Sequence, residues 1–213
     1  DVSVYKHLAF VSAEGLTGRM DCGTQGVPEP VSKDRVRGIR IFDMTDPQRP
    51  KYVGNVQTCR GSHTHTVVTD KNDPDNVYVY ISGSSGVRSA DELPGCSNLA
   101  PDQDPNSALF RIEVIKVPLA DPSKAAIVSS PRIFTDLGPA PTRSTPPAPN
   151  AAARGAAGAG RGAAGDSTAA AGRGAGGGRG AAGGAPRVRT GPSQCHDITV
   201  YPAVGLAGGA CGG

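Results

Sequence analysis

Two passages of this chain alternate apolar and polar residues and then stop at an Asp-Pro pair: GIRIFDMTDP at 38–47 and ALFRIEVIKVPLADP at 108–122. A helix needs an apolar residue every third or fourth position, whereas every second residue lines one face of a strand, so this pattern commits both passages to β-structure. Pro removes a ladder donor and Asp favours a turn, which ends each strand at its Asp-Pro. The surroundings repeat as well. DVSVYKHLAFVS at 1–12 lines up with HTVV at 65–68 followed by VYVYIS at 77–82, and DITVY at 197–201 opens a third copy. A short strand follows each Asp-Pro: YVGNV at 52–56 in the first unit, and AIV at 126–128 or RIF at 132–134 in the second. The fold expected is all-β. Four antiparallel strands repeated along a chain are the pattern of β-propeller blades, here an incomplete ring of two blades and the start of a third.

The Asp-Pro pairs begin at Asp46 and Asp121, 75 residues apart, which is long for one blade. Matching insertions at 16–37 and 87–106 account for the excess. The blades therefore fall at 1–58 and 59–138, with the third beginning in 193–213. Between them, 139–192 is built from Ala, Gly, Pro and Arg. Such a tract has little to bury against the entropy cost of ordering, so a disordered low-complexity insertion is expected. The whole chain has 30 Gly, 19 Pro and no Trp, poor material for one large core.

The tract also distorts the charge balance. It holds seven Arg and one Asp, leaving 15 of the 22 basic and 18 of the 19 acidic residues elsewhere. The strand-bearing part is mildly acidic, so a nucleic-acid partner is not expected, because phosphate binding needs clustered Lys and Arg. An Arg-Gly segment can touch a polyanion, but no aromatic residue is interleaved here for stacking. No run of about 18 apolar residues marks a membrane span, and no signal peptide is seen in these residues. The opening DVSV reads as a strand already under way. The remaining blades are expected in the same chain or in another subunit.

Residues 38–54, GIRIFDMTDPQRPKYVG, resemble the LVIVD repeat of bacterial secreted and cell-surface β-propeller proteins. In that repeat an apolar strand ending in Asp runs into a Ser/Thr-Asp-Pro-x-x-Pro turn and then a Val-Gly strand. AFVS at 9–12 fits the strand before it, and DPSKA at 121–125 lacks the second Pro. The resemblance covers about 1–137 and 195–213. It implies a propeller fold and an exported location, secreted, periplasmic or at the cell surface. It implies no activity.

Cys22, Cys59, Cys96, Cys195 and Cys211 contain no C-x-x-C pair, which excludes a zinc ribbon and a thioredoxin-like motif. In an exported protein, cysteines in Gly-rich turns are disulfides. Cys22 lies in the first insertion and Cys59 closes the first blade, so these two are expected to pair. Cys96 with Cys195 is the second expectation, leaving Cys211 as the odd one, and other connectivities stay open.

Aligning the three copies places Asp1, His65 and Asp197 at the starts of the innermost strands, where equivalent positions face one another at the mouth of a propeller channel. There His63, His65 and Asp197 are the candidate ligand-binding residues. His63 and His65, two apart on a strand, would share a side. With His196 or Asp197 they would offer nitrogen and oxygen ligands to a divalent metal such as zinc, copper or iron. The alternative is that these residues hydrogen-bond backbone and water at the channel entrance.

DKNDPDN at 70–76 suggests calcium, but it lacks the Gly and later Glu of an EF-hand loop and reads better as a hairpin turn. GSSG at 83–86 is not a nucleophile elbow, and no catalytic residue is identified. The leading functional expectation is a non-enzymatic, exported binding or scaffold module whose partner is a protein or a surface glycan. A metal-dependent oxidoreductase or hydrolase using His63, His65, His196 and Asp197 is the alternative. Assembly into a fibre through strand edges is the third.

Overall fold

A computed structural model of the chain describes residues 1–15, 17–133 and 194–211. The tract at 139–192, read above as a disordered linker, lies outside the described residues. The described residues are all-β, with only short 3-10 turns besides strands. Strands β1 (Val2–Tyr5), β2 (Leu8–Ala13), β3 (Gly38–Asp43) and β4 (Lys51–Gln57) form one sheet in that order. A second sheet repeats the plan with β5 (His65–Thr69), β6 (Asn76–Ser82), β7 (Ile112–Pro118) and β8 (Ala126–Ser129). A two-stranded hairpin of β9 (Cys195–Tyr201) and β10 (Leu206–Cys211) follows. All neighbouring strands are antiparallel. Of the two segments open for the second unit's fourth strand, 126–129 forms it, while Arg132 makes only an isolated bridge to Arg111.

The alternation seen in the sequence places the core. Leu8 and Phe10 of β2, Ile39 and Ile41 of β3 and Val56 of β4 project from one face of the first sheet. They meet Val77, Val79 and Ile81 of β6 and Ile115 and Val117 of β7. Register keeps the faces aligned: Phe10 sits opposite Ile41, and Val79 opposite Ile115. Each such side chain taken from water contributes about 1.5–3 kcal/mol, so this seam between sheets is the main source of stability.

The two insertions join equivalent strands, β2 to β3 and β6 to β7, and they dock on each other through Glu92. Its buried carboxylate accepts from Arg88 Nε at 2.6 Å, from Arg35 Nη1 and from the Ser32 backbone N–H at 2.9 Å. Burial acts to raise the Glu92 carboxyl, but the Ser32 N–H and the two arginines outweigh it and hold it below its ordinary value.

The disulfides differ from the expected pairs Cys22–Cys59 and Cys96–Cys195. The second insertion folds back so that Cys96 reaches Cys59, and the two pack with Ala108, Val87 and Leu93. Cys195 and Cys211 face each other across the β9–β10 ladder and form the second bridge. Cys22, not Cys211, is the free and exposed one, in the first insertion. Cross-strand register brings Cys195 to Cys211, and the path of the second insertion brings Cys96 to Cys59. No helix among the described residues is long and apolar enough to cross a membrane.

Candidate metal centre

The chain turns out of β2 after Ala13, which leaves Glu14 at the end of that strand. Across from it runs the segment 60–64 that leads into β5. Gly61 permits this close passage: it has φ +69°, and a Cβ there would lie 2.9 Å from the Ala13 carbonyl oxygen and 3.1 Å from the Glu14 Cα. The Ser62 N–H donates to the Ala13 carbonyl at 3.2 Å. His63 is thereby set beside Glu14, with Nδ1 2.6 Å from Oε2.

β9 brings the remaining groups. It is fastened to β5 by two hydrogen bonds around Ile198: its N–H donates to Thr64 Oγ1 at 3.3 Å, and Thr66 Oγ1 donates to its carbonyl at 3.0 Å. Arg60 reaches Gln194 just before the strand and donates from Nε to the Ser85 carbonyl at 2.7 Å. As a result the His63 and His196 rings lie 3.9 Å apart, centroid to centroid, and His196 Nδ1 is 3.2 Å from Asp197 Oδ1. One ligand atom each from His63, His196 and Asp197 falls within 4.8 Å of the others.

These are the distances a metal ion can draw together. Ligand atoms about 2.0–2.2 Å from a tetrahedral ion sit about 3.4 Å apart, so closing the set takes small side-chain rotations. Two imidazoles and a carboxylate are the donors preferred by zinc and its divalent transition-metal neighbours. The side chains of His63, His196 and Asp197 are 43, 50 and 48% exposed, which leaves one side of the set open to solvent. Burial acts to raise the Glu14 carboxyl, but the neighbouring Ser84 hydroxyl and His63 ring, with the charges of His63 and His196, hold it below its ordinary value. It is therefore an anion at neutral pH, able to accept the Nδ1 proton of His63.

His65 stands apart from this group. Its side chain is fully buried, Nδ1 lies 2.8 Å from Ser12 Oγ, and Asp1 Oδ2 is 3.6 Å from the same nitrogen. Burial holds the imidazole down to about 4, with the nearby amino terminus adding to the effect. The expected sharing of a side by His63 and His65 does not arise, because β5 begins at His65 and His63 precedes it in a turn, where alternation does not apply. Glu14, conversely, was not among the sequence candidates. No spacing links it to the histidines, and contacts distant in sequence put it there, among them the turn at Gly61 and the hydrogen bond from Ser85 Oγ to its carbonyl.

The turn at 70–76 is the expected hairpin. Asp73 is its hub, accepting from Tyr78 Oη at 2.5 Å and Asn76 Nδ2 at 2.6 Å, with Lys116 Nζ at 3.1 Å. A groove of ≈ 900 Å3 lies away from the histidines, between the second sheet and the β9–β10 turn, lined by Tyr78, Tyr80, Val114, Val128 and Pro202 among others. No protein-family model, curated protein or solved structure matches the chain.

Proposed function

We propose that the chain is part of an exported β-propeller binding module that holds a divalent transition-metal ion at the starts of its blades. His63, His196 and Asp197 are the ligands. Glu14 orients His63: with Nδ1 engaged by Glu14, Nε2 is the nitrogen left to coordinate, the usual arrangement of a metal-bound histidine backed by a carboxylate. The observation that carries this reading is the convergence of ligand atoms from two segments far apart in sequence, 63 and 196–197, within 4.8 Å. Two disulfides fit an oxidising, extracytoplasmic location. The Asp-Pro repeats and the two matching four-stranded sheets support the resemblance to LVIVD-repeat propellers, with further blades supplied by this chain or by another subunit.

The test is zinc titration by calorimetry, with copper and nickel as comparison ions. The wild-type protein binds one equivalent of zinc, His63→Ala and Asp197→Ala lose it, and His65→Asn retains it. A wild-type protein that takes up no zinc, or a His63→Ala variant that binds it unchanged, ends the proposal.

The open side of the cluster favours a second reading. Three protein ligands with a free position are the pattern of catalytic zinc, where a bound water ionises near neutral pH and attacks an ester or amide. Zinc-dependent hydrolysis of activated esters that disappears in His63→Ala would support this reading. A zinc-loaded protein without turnover leaves the binding module.

A further inference from the structure

Successive residues on a strand point to opposite faces, so His196 and Asp197 should not be able to serve one ion. The ladder explains how they do. In β10, Ala210 pairs with Asp197 and the next residue, Cys211, pairs with Cys195, so His196 is skipped. It is the extra residue of a β-bulge, and a bulge re-aims the side chain it carries. The skipped residue is thereby turned to the side of Asp197 and brought 3.9 Å from the His63 ring.

What holds the bulge is the Cys195–Cys211 bond, which closes the ladder one residue beyond it. Little else does. Every residue of β10 is exposed, two of the six are Gly, and its outer edge has no partner among the described strands. A two-stranded hairpin is marginal in water, and Gly weakens a strand further. The opposite end is closed by the turn at Pro202–Val204 and Gly205, but that end is far along the strand from the ligands. Among the described residues, the hydrogen bonds around Ile198 that tie the pair to β5 and the segment before it come from β9.

We propose that the Cys195–Cys211 disulfide is the positioning element of the metal site, and that it couples metal binding to oxidation. Two thiols are joined as one S–S bond, and the two electrons and two protons released pass to a disulfide of the glutathione or dithiol-oxidoreductase class, which is reduced to two thiols. In the dithiol state β10 can slip by one residue, removing the bulge and returning His196 to the face opposite Asp197. The site is then complete after export and incomplete in a reducing compartment. Binding and bond are linked, so zinc protects the disulfide from reduction by the same factor by which the disulfide tightens zinc. This inference rests on the metal reading above, and one arm of its test does not.

That arm uses metal-free protein. An NMR contact between the His63 and His196 rings is expected in the wild type and in the double variant Cys59→Ser, Cys96→Ser, and is expected to vanish in Cys195→Ser, Cys211→Ser. The second arm is zinc titration of the same three proteins, with a loss of about 10–100-fold expected only in the Cys195, Cys211 variant, the range seen when a ligand's support is removed. Amide exchange of β1–β8 checks that this variant stays folded. Persistence of the ring contact in a folded Cys195→Ser, Cys211→Ser protein overturns the positioning role, whether or not the wild type binds zinc. Loss of the contact without any zinc binding in the wild type upholds the positioning role and overturns only the metal reading and its coupling to oxidation.

Discussion

The two seams of the molecule differ in how much sheet each sets against sheet. Between the first and second sheets, four strands lie against four, and Phe10, Ile39, Val77, Val79, Ile115 and Val117 are wholly buried. Between the second sheet and the hairpin only two strands lie against four. Ile198 is buried there, yet Tyr201, Val204 and Leu206 are more than half exposed and every residue of β8 is exposed. The first seam is a core; the second is held by Ile198 and a few hydrogen bonds, while the Cys195–Cys211 disulfide braces the hairpin itself. The metal candidate spans both qualities, since Glu14 and His63 sit on the firm side and His196 and Asp197 on the loose one.

This contrast predicts a ranking. Phe10→Ala, which opens a cavity in the first seam, costs about 3–5 kcal/mol and lowers the midpoint of urea unfolding for the whole protein. Removing the Glu92 carboxylate by Glu92→Ala leaves Arg35 and Arg88 buried without their shared anion, and about 3–5 kcal/mol of loss in the same assay is expected. Breaking Cys59–Cys96, which closes a loop across a separation of 37 residues, costs about 2–4 kcal/mol. Ile198→Ala should behave differently in kind. Its signature is faster amide exchange in β9 and β10 with β1–β8 unchanged, because the second seam opens on its own. If Ile198→Ala instead shifts exchange across all ten strands, the two seams form one cooperative unit and the comparison fails.

The smallest effect concerns pH. The Asp73 carboxyl is held down to about 2 from an ordinary 3.8, mainly by the Tyr78 hydroxyl and then by Asn76 and Lys116. A depressed carboxyl contributes stability above its unfolded value of 3.8 that is lost as the pH falls toward 2. Asp73→Asn therefore flattens the acid limb of the stability curve between about pH 4 and pH 2 and leaves the hairpin in place. An unchanged acid limb would show that this exposed network does not contribute.

The bare edge of β10 bears on self-association. LAGGAC carries neither charge nor Pro, the usual protections of a free edge. Concentration-dependent growth in solution, suppressed by Ala207→Lys, is expected if no further strand covers it.

The sequence made the strands legible because period-two alternation and Asp-Pro stops are local signals. The matching insertions could be read for the same reason, from an excess of length between two landmarks. Repeat alignment singles out His65 and Asp197, the two-residue spacing to His65 adds His63, and His196 enters as the neighbour of Asp197. The structure brings His63, His196 and Asp197 together and leaves His65 apart, whereas alignment treats each strand as regular. Alignment could not place His63 in a turn ahead of β5, which separates it from His65, nor foresee the bulge that turns His196 toward Asp197. The disulfide partners were hidden for a related reason. Cys195 and Cys211 meet through cross-strand register, and Cys96 meets Cys59 through the path of an insertion. Glu14 left no signal, because its role depends on a Gly61 turn in another repeat.

The central claim, that two histidines and a carboxylate from separate segments form one metal centre, is tested most directly by X-ray absorption on the zinc-loaded protein. The account predicts zinc ringed by nitrogen and oxygen at about 2.0–2.2 Å with outer scattering from two imidazoles, reduced to one in His63→Ala. A sulfur shell near 2.3 Å, which would place the ion on the Cys22 thiolate, or a spectrum without imidazole scattering, would contradict it.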